Sequence, residues 1–210
     1  MATKIFNLII IDESGSMDCI KQQAIDSVNE TIQTIRAAQE RNESQEHFVS
    51  IVSFNDDVKT ISDCVAVDEV QELTKKTYQP NCCTALYDAM GLSLNALRKK
   101  VADEDKVLVT VVTDGYENAS REYSGMAIKA LVEELKEKGW VFAYIGANHD
   151  VEAAASSIAI ENTMSFDATA SGVAEMSYSL NRSRACWYDS IEDNSADSKK
   201  ANRNFFSKFI

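Results

Sequence analysis

Three short stretches of this 210-residue chain concentrate hard oxygen donors where a fold could bring them together. Asp12-Glu13-Ser14-Gly15-Ser16 follows the apolar run at 5–11, Asp114 follows the apolar run at 106–112, and Thr84 stands just before a helical pattern. In an extended turn alternate side chains point the same way, which puts Asp12, Ser14 and Ser16 on one side. Open α/β sheets bind ligands just beyond the C-terminal ends of their strands, so all of these residues belong to one edge. Two carboxylates and three hydroxyls, with no His or Cys among them, suit Mg2+, with Mn2+ or Ca2+ as substitutes. They fall short of a closed cage. Mg2+ prefers octahedral geometry and keeps waters, so carboxylates can act through water while hydroxyls bind directly, leaving one position for a partner's oxygen.

Each donor also has a plainer explanation. Ser14 and Ser16 suit a turn, Asp114-Gly115 is an ordinary turn pair, and Thr84 is an ordinary N-cap. Their coincidence at one edge favours the metal site. A hydrolase alternative uses Ser14 or Ser16 with His149, which follows another apolar run on the same face, and Asp114. The G-x-S-x-G elbow that exposes a nucleophile is missing, a serine stands where an aspartate-led phosphatase would want its second aspartate, and neither common Gly-rich phosphate loop is present. A third alternative is a scaffold in which an enclosed ion only stabilises the loops. Cys82-Cys83 forms no C-x-x-C motif and reads as a pair of inert thiols.

Positioning these residues requires strands that end at a common edge. Short apolar runs alternate with stretches whose apolar residues recur every three to four positions, the pattern of an α/β fold. The run at 5–11 (IFNLIII) reads as a central strand covered on both faces. Ile20, Ala24, Val28, Ile32 and Ile35 mark the first helix. Strands are expected at 48–54 and 58–67, and the three-residue link Asn55-Asp56-Asp57 permits a hairpin but no crossover, which makes the third strand an antiparallel edge. Leu86, Met90, Leu94, Leu97 and Val101 mark a second helix. A strand at 106–112 follows, then a helix through Ile128, Leu131, Val132 and Leu135 with Gly139 as its C-terminal cap. A strand at 140–145, a short helix at 151–158, a short strand at 164–166 and a last helix through Val173, Met176, Leu180, Trp187 and Ile191 complete the pattern. The expected domain covers residues 1–193. A polar, lysine-rich tail at 194–210 ends in Phe205, Phe206, Phe209 and Ile210, and folding back on the domain is its favoured placement.

IIIDESGSM, TALYDAM and VVTDG, in this order and spacing, resemble the metal-ion-dependent adhesion site of von Willebrand factor A domains. The resemblance runs from about Ile5 to Phe166. It implies a Rossmann-like, doubly wound, mostly parallel six-stranded sheet with helices on both faces, and metal ligands Asp12, Ser14, Ser16, Thr84 and Asp114. It also implies a non-enzymatic module whose Mg2+ binds an Asp or Glu of another protein. Cys82-Cys83 replaces the glycines that many members carry before the threonine.

A formal charge of −12 repels phosphate backbones, and no basic stripe overrides it, which argues against nucleic acid as a partner. No apolar run approaches the roughly 20 residues that span a bilayer. Residues 1–11 read as a strand and not as a leader, and five cysteines without metal or redox spacing read as reduced thiols. A cytoplasmic location is the resulting expectation.

Overall fold

A computed structural model describes residues 2–191 and 204–206. Its strands are β1 (Thr3–Asp12), β2 (Gln45–Phe54), β3 (Val58–Ala66), β4 (Lys106–Thr113), β5 (Val141–Gly146) and β6 (Asn162–Ser165). The helices are α1 (Lys21–Arg41), α2 (Leu86–Leu97), α3 (Gly125–Glu137), α4 (Val151–Ser157) and α5 (Ala170–Ile191). The strands form one six-stranded sheet in the order β3-β2-β1-β4-β5-β6. Every pairing is parallel except β2 with β3, as the three-residue link requires.

Strand β1 is buried from Ile5 to Asp12 because it lies at the centre and is covered on both faces. Ile5, Ile9 and Ile11 join α1 and α5 in one core, while Phe6, Leu8 and Ile10 join α2 and α3 in the other. This two-sided burial is why the strand is uniformly apolar and does not alternate. The chain leaves β1 toward β2 through α1 and leaves β4 toward β5 through α3, so the topology reverses between β1 and β4. A crevice for ligands opens at such a reversal.

Several boundaries differ from the sequence reading. The apolar spacing that begins at Ile20 is preceded by a 3-10 segment, Gly15–Ile20, whose Met17 and Ile20 are already buried. Helix α2 stops at Leu97, and Val101 packs beyond it. Strand β2 starts at Gln45 and β6 at Asn162, both earlier than their apolar residues indicate. Gly139 adopts φ 87° and closes α3 as expected. Phe205 and Phe206 are buried in the α1/α5 core, and the Phe205 amide donates to Asn162 Oδ1 at 2.9 Å. Phe209, Ile210 and the proposed boundary at residue 193 lie outside the described residues.

Beneath α5 the sheet carries a polar cluster. Arg184 is fully buried and donates to Thr110 Oγ1 (2.7 Å), Asn7 Oδ1 (3.2 Å) and the Tyr188 hydroxyl (3.3 Å). His47, also buried, meets Tyr188 edge to face at 4.6 Å, with Nε2 3.2 Å from Gln45 Oε1. Burial, and then the Arg184 charge, lower the His47 pKa from 6.5 to about 4. The unfolded chain therefore binds the proton first as pH falls, so the neutral His47 contributes stability that is full above pH 6.5 and lost down to about 4. The loss approaches roughly 3 kcal/mol. Thermal melts across that window should show this slope in the wild type, and a clearly flatter one in His47→Gln. Equal slopes would contradict the assignment.

Candidate metal centre

Asp12 closes β1 and Asp114 follows β4, so the topological reversal sets the two carboxylates side by side. Ser14, extended at φ −70° and ψ 163°, starts the 3-10 segment. Its amide donates to Asp12 Oδ1 at 2.7 Å, curling the turn back onto the carboxylate. The Ser14 and Ser16 hydroxyls lie 3.2 Å apart, and Ser16 Oγ donates to Asp114 Oδ1 at 2.6 Å. Thr84 borders the same place, since a Cβ built on Gly115 would stand 4.0 Å from Thr84 Oγ1. Hydrogen bonds thus link Asp12, Ser14, Ser16 and Asp114 in one chain, and Thr84 stands beside Gly115, the residue after Asp114. Asp12, Ser14, Thr84 and Asp114 are buried, while Ser16 and Gly15 are exposed and leave the cluster open on one side.

The loops around this cluster are braced against one another. The Tyr78 hydroxyl donates to Asp12 O at 2.5 Å, the Asn81 amide to Glu13 O at 2.9 Å, and the Gln79 amide to the Glu13 carboxylate. On the far side Asn118 Oδ1 accepts from the Thr84 amide at 2.9 Å and Glu117 Oε2 from the Tyr87 amide at 2.9 Å. Asp88, near the start of α2, accepts from the amides of Arg121, Glu122 and Tyr123. Burial opposes the charge on Asp88, but these three bonds and Arg121 outweigh it and lower the pKa. Glu117 and Asn118, which by their loop position could have contacted a partner, instead hold the frame. Tyr116 stays 57% exposed, although its hydroxyl accepts from the Asp150 amide at 3.0 Å.

The sequence reading missed Thr113. Its Oγ1 donates to Asp12 Oδ2 at 2.6 Å and fixes the carboxylate's second oxygen. A hydroxyl closing a largely apolar strand was the available signal.

Negative charge accumulates at the cluster. Burial, with a further push from Asp114, outweighs the bonds from Thr113 and Ser14 and raises the Asp12 pKa. Burial and the carboxylates of Asp12, Glu13 and Asp114 raise Tyr78 as well. Asp114 Oδ2 is buried and has no hydrogen-bond partner among the described residues. A buried carboxylate oxygen without a donor is costly unless a cation meets it. An all-oxygen set around such an atom fits a hard divalent ion.

The hydrolase alternative finds no geometric support. His149 Nδ1 lies 2.6 Å from Ala147 O and must donate there, so in the neutral ring Nε2 accepts from the Tyr144 hydroxyl at 3.2 Å. Both ring nitrogens are thereby engaged away from Ser14 and Ser16.

An α/β domain whose carboxylates and hydroxyls cluster at the topological reversal of a mostly parallel sheet has the doubly wound architecture. Residues 8–179 match the model of the von Willebrand factor type A domain, and the chain belongs to that family. No curated protein matches it significantly in sequence. Among solved structures it resembles a point variant of the PilB minor pilin from Streptococcus sanguinis, with TM-score 0.64 and 14% identity over 93% of this chain and 64% of that one. A von Willebrand factor type A protein from Catenulispora acidiphila gives 0.58 and 14% over 88% and 43%. The vWF domain of the type V pili tip protein Mfa5 from Porphyromonas gingivalis gives 0.58 and 11% over 87% and 96%. At these identities the likeness shows the fold alone. The chain spans less than two thirds of the pilin and about half or less of the Catenulispora protein. Domains of this family generally serve as non-catalytic interaction modules. Among the described residues no helix is long and apolar enough to cross a membrane. Two of these three neighbours are pilus proteins, which gives no support to the cytoplasmic location expected from the sequence.

Proposed function

We propose that this domain binds another protein through a divalent cation, most suitably Mg2+, held by Asp12, Ser14, Ser16, Thr84 and Asp114. The observation that carries this reading is Asp114 Oδ2, buried without a partner among the described residues on a carboxylate whose other oxygen accepts from Ser16. When bound, the ion supplies a localised positive charge on an acidic surface and a coordination position for a partner's Asp or Glu. The chain's own residues prepare that position. Thr113 and the Ser14 amide orient Asp12, Ser16 bridges to Asp114, and the Tyr78, Glu13 and Asn118 contacts hold the three loops in register. Exposure of Gly15 and Ser16 supports an accessible site over an enclosed, purely structural ion.

Immobilised domain should capture a carboxylate-bearing partner in Mg2+ and release it in chelator. Asp12→Ala should lose capture while retaining wild-type circular dichroism. Capture that is indifferent to chelator and to Asp12→Ala would refute the bridge.

A further inference from the structure

We propose that Cys82 and Cys83 are a reversible dithiol/disulfide pair that disables the metal site when oxidised by a low-molecular-weight disulfide, an inference that rests on the metal reading above. Both thiols are free, adjacent and exposed. Cys82 sits at φ 59°, a left-handed conformation uncommon for a residue other than glycine. Their backbone forms one wall of the site. Cys82 O accepts from the Gly15 amide at 3.1 Å, between Ser14 and Ser16, and the Cys83 amide donates to Asp56 Oδ1 at 2.7 Å. The next residue is Thr84, whose amide is held by Asn118 at 2.9 Å.

Neighbouring Cα atoms across a trans peptide lie about 3.8 Å apart, closer than the roughly 4.4–6.8 Å of an ordinary disulfide. Closing an S–S bond between adjacent residues therefore strains the ring and moves its backbone. Strained, exposed disulfides are the easily reduced ones, which suits a reversible switch and not a structural brace. The backbone that must move carries the Gly15 and Asp56 contacts and leads directly into Thr84, so oxidation pulls on both sides of the cluster.

The chemistry balances without a metal. The Cys82 sulfur gives its proton to solvent and attacks one sulfur of the oxidant, whose S–S bond breaks and whose departing thiolate takes up a proton. The Cys83 sulfur then loses its proton and attacks the mixed disulfide at Cys82, forming the Cys82–Cys83 bond and releasing the second small thiol. Two protein thiols are oxidised by two electrons, and the oxidant is reduced to two thiols. Cys19 is the one other exposed thiol among the described residues, and its Sγ lies 3.2 Å from Ser16 O, so it is the natural competitor.

The full chain is equilibrated with graded ratios of reduced to oxidised glutathione, and the products are read by intact mass and peptide mapping. Melts with and without Mg2+ follow, before and after dithiothreitol. Oxidation is expected to yield a Cys82–Cys83 disulfide, lighter by two hydrogens, and to reduce the Mg2+-induced shift by at least half. Dithiothreitol should restore the shift. Cys83→Ser should keep its shift under the same oxidant. Separate glutathione adducts on the two thiols, a Cys19–Cys82 disulfide, or a Cys82–Cys83 disulfide that leaves the shift intact would each overturn the proposal. A reduced wild type without any Mg2+ shift would remove the metal reading and with it the control, while peptide mapping still decides whether the pair forms.

Discussion

Asp114→Ala should lose the stabilisation that Mg2+ gives the wild type, yet be no less stable than the wild type in chelator. The two halves of this result have one cause. Asp114 Oδ2 is buried without a hydrogen-bond donor among the described residues, so in the metal-free chain the carboxylate carries a desolvation cost that truncation removes. With Mg2+ at about a hundredfold excess over its Kd, mass action adds roughly 2.7 kcal/mol to the wild type. For a chain of this size that is a shift of roughly 5–10 °C. Melts of both proteins in chelator and in millimolar Mg2+ check the crossing. A variant that is strongly destabilised in chelator would show that Asp114 is a structural residue whose partner is within the protein.

Arg184→Ala should be the most damaging single substitution in α5. It empties the volume of a fully buried side chain and leaves Thr110 Oγ1 and Asn7 Oδ1 without the guanidinium in the sheet interior. The cavity and the lost hydrogen bonds together cost about 3–5 kcal/mol, a fall in Tm of roughly 6–20 °C. Arg184→Met keeps most of the volume and removes the cation. Asn7 Oδ1 then still accepts from the Tyr188 hydroxyl, so the methionine variant should lose much less. Urea titrations of both variants test the order. Losses within about 1 kcal/mol for the alanine variant would mean that α5 is held by its apolar residues alone.

The cluster that Arg184 organises also shows where a sequence stops being transparent. Helix α5 was legible from Val173, Met176, Leu180, Trp187 and Ile191, yet that spacing leaves a gap at 184 where the buried face continues. An arginine there reads as solvent-exposed by type, although its position places it inside. Asn7 within IFNLIII and Thr110 within VLVTVV were the matching signals, polar residues in runs buried on both faces. Only the parallel register of β1 and β4 sets them together under the helix. The metal-site candidates were legible for the opposite reason. They sit at strand ends whose place follows from apolar runs, and a strand end is fixed by its core-facing residues. Residues that only support the site from loops and helices, such as Tyr78 and Asp88, carry no such positional signal, because their partners are tens of residues away. The entry into α1 blurred because Met17 and Ile20 extend the helical spacing into a 3-10 segment.

Calorimetric titration of MgCl2 into the metal-free chain at neutral pH tests the central claim most directly. The account predicts saturable binding of a single ion per chain, lost in both Asp12→Ala and Asp114→Ala. An absence of binding heat, together with a melting midpoint that stays put across millimolar Mg2+, would contradict it.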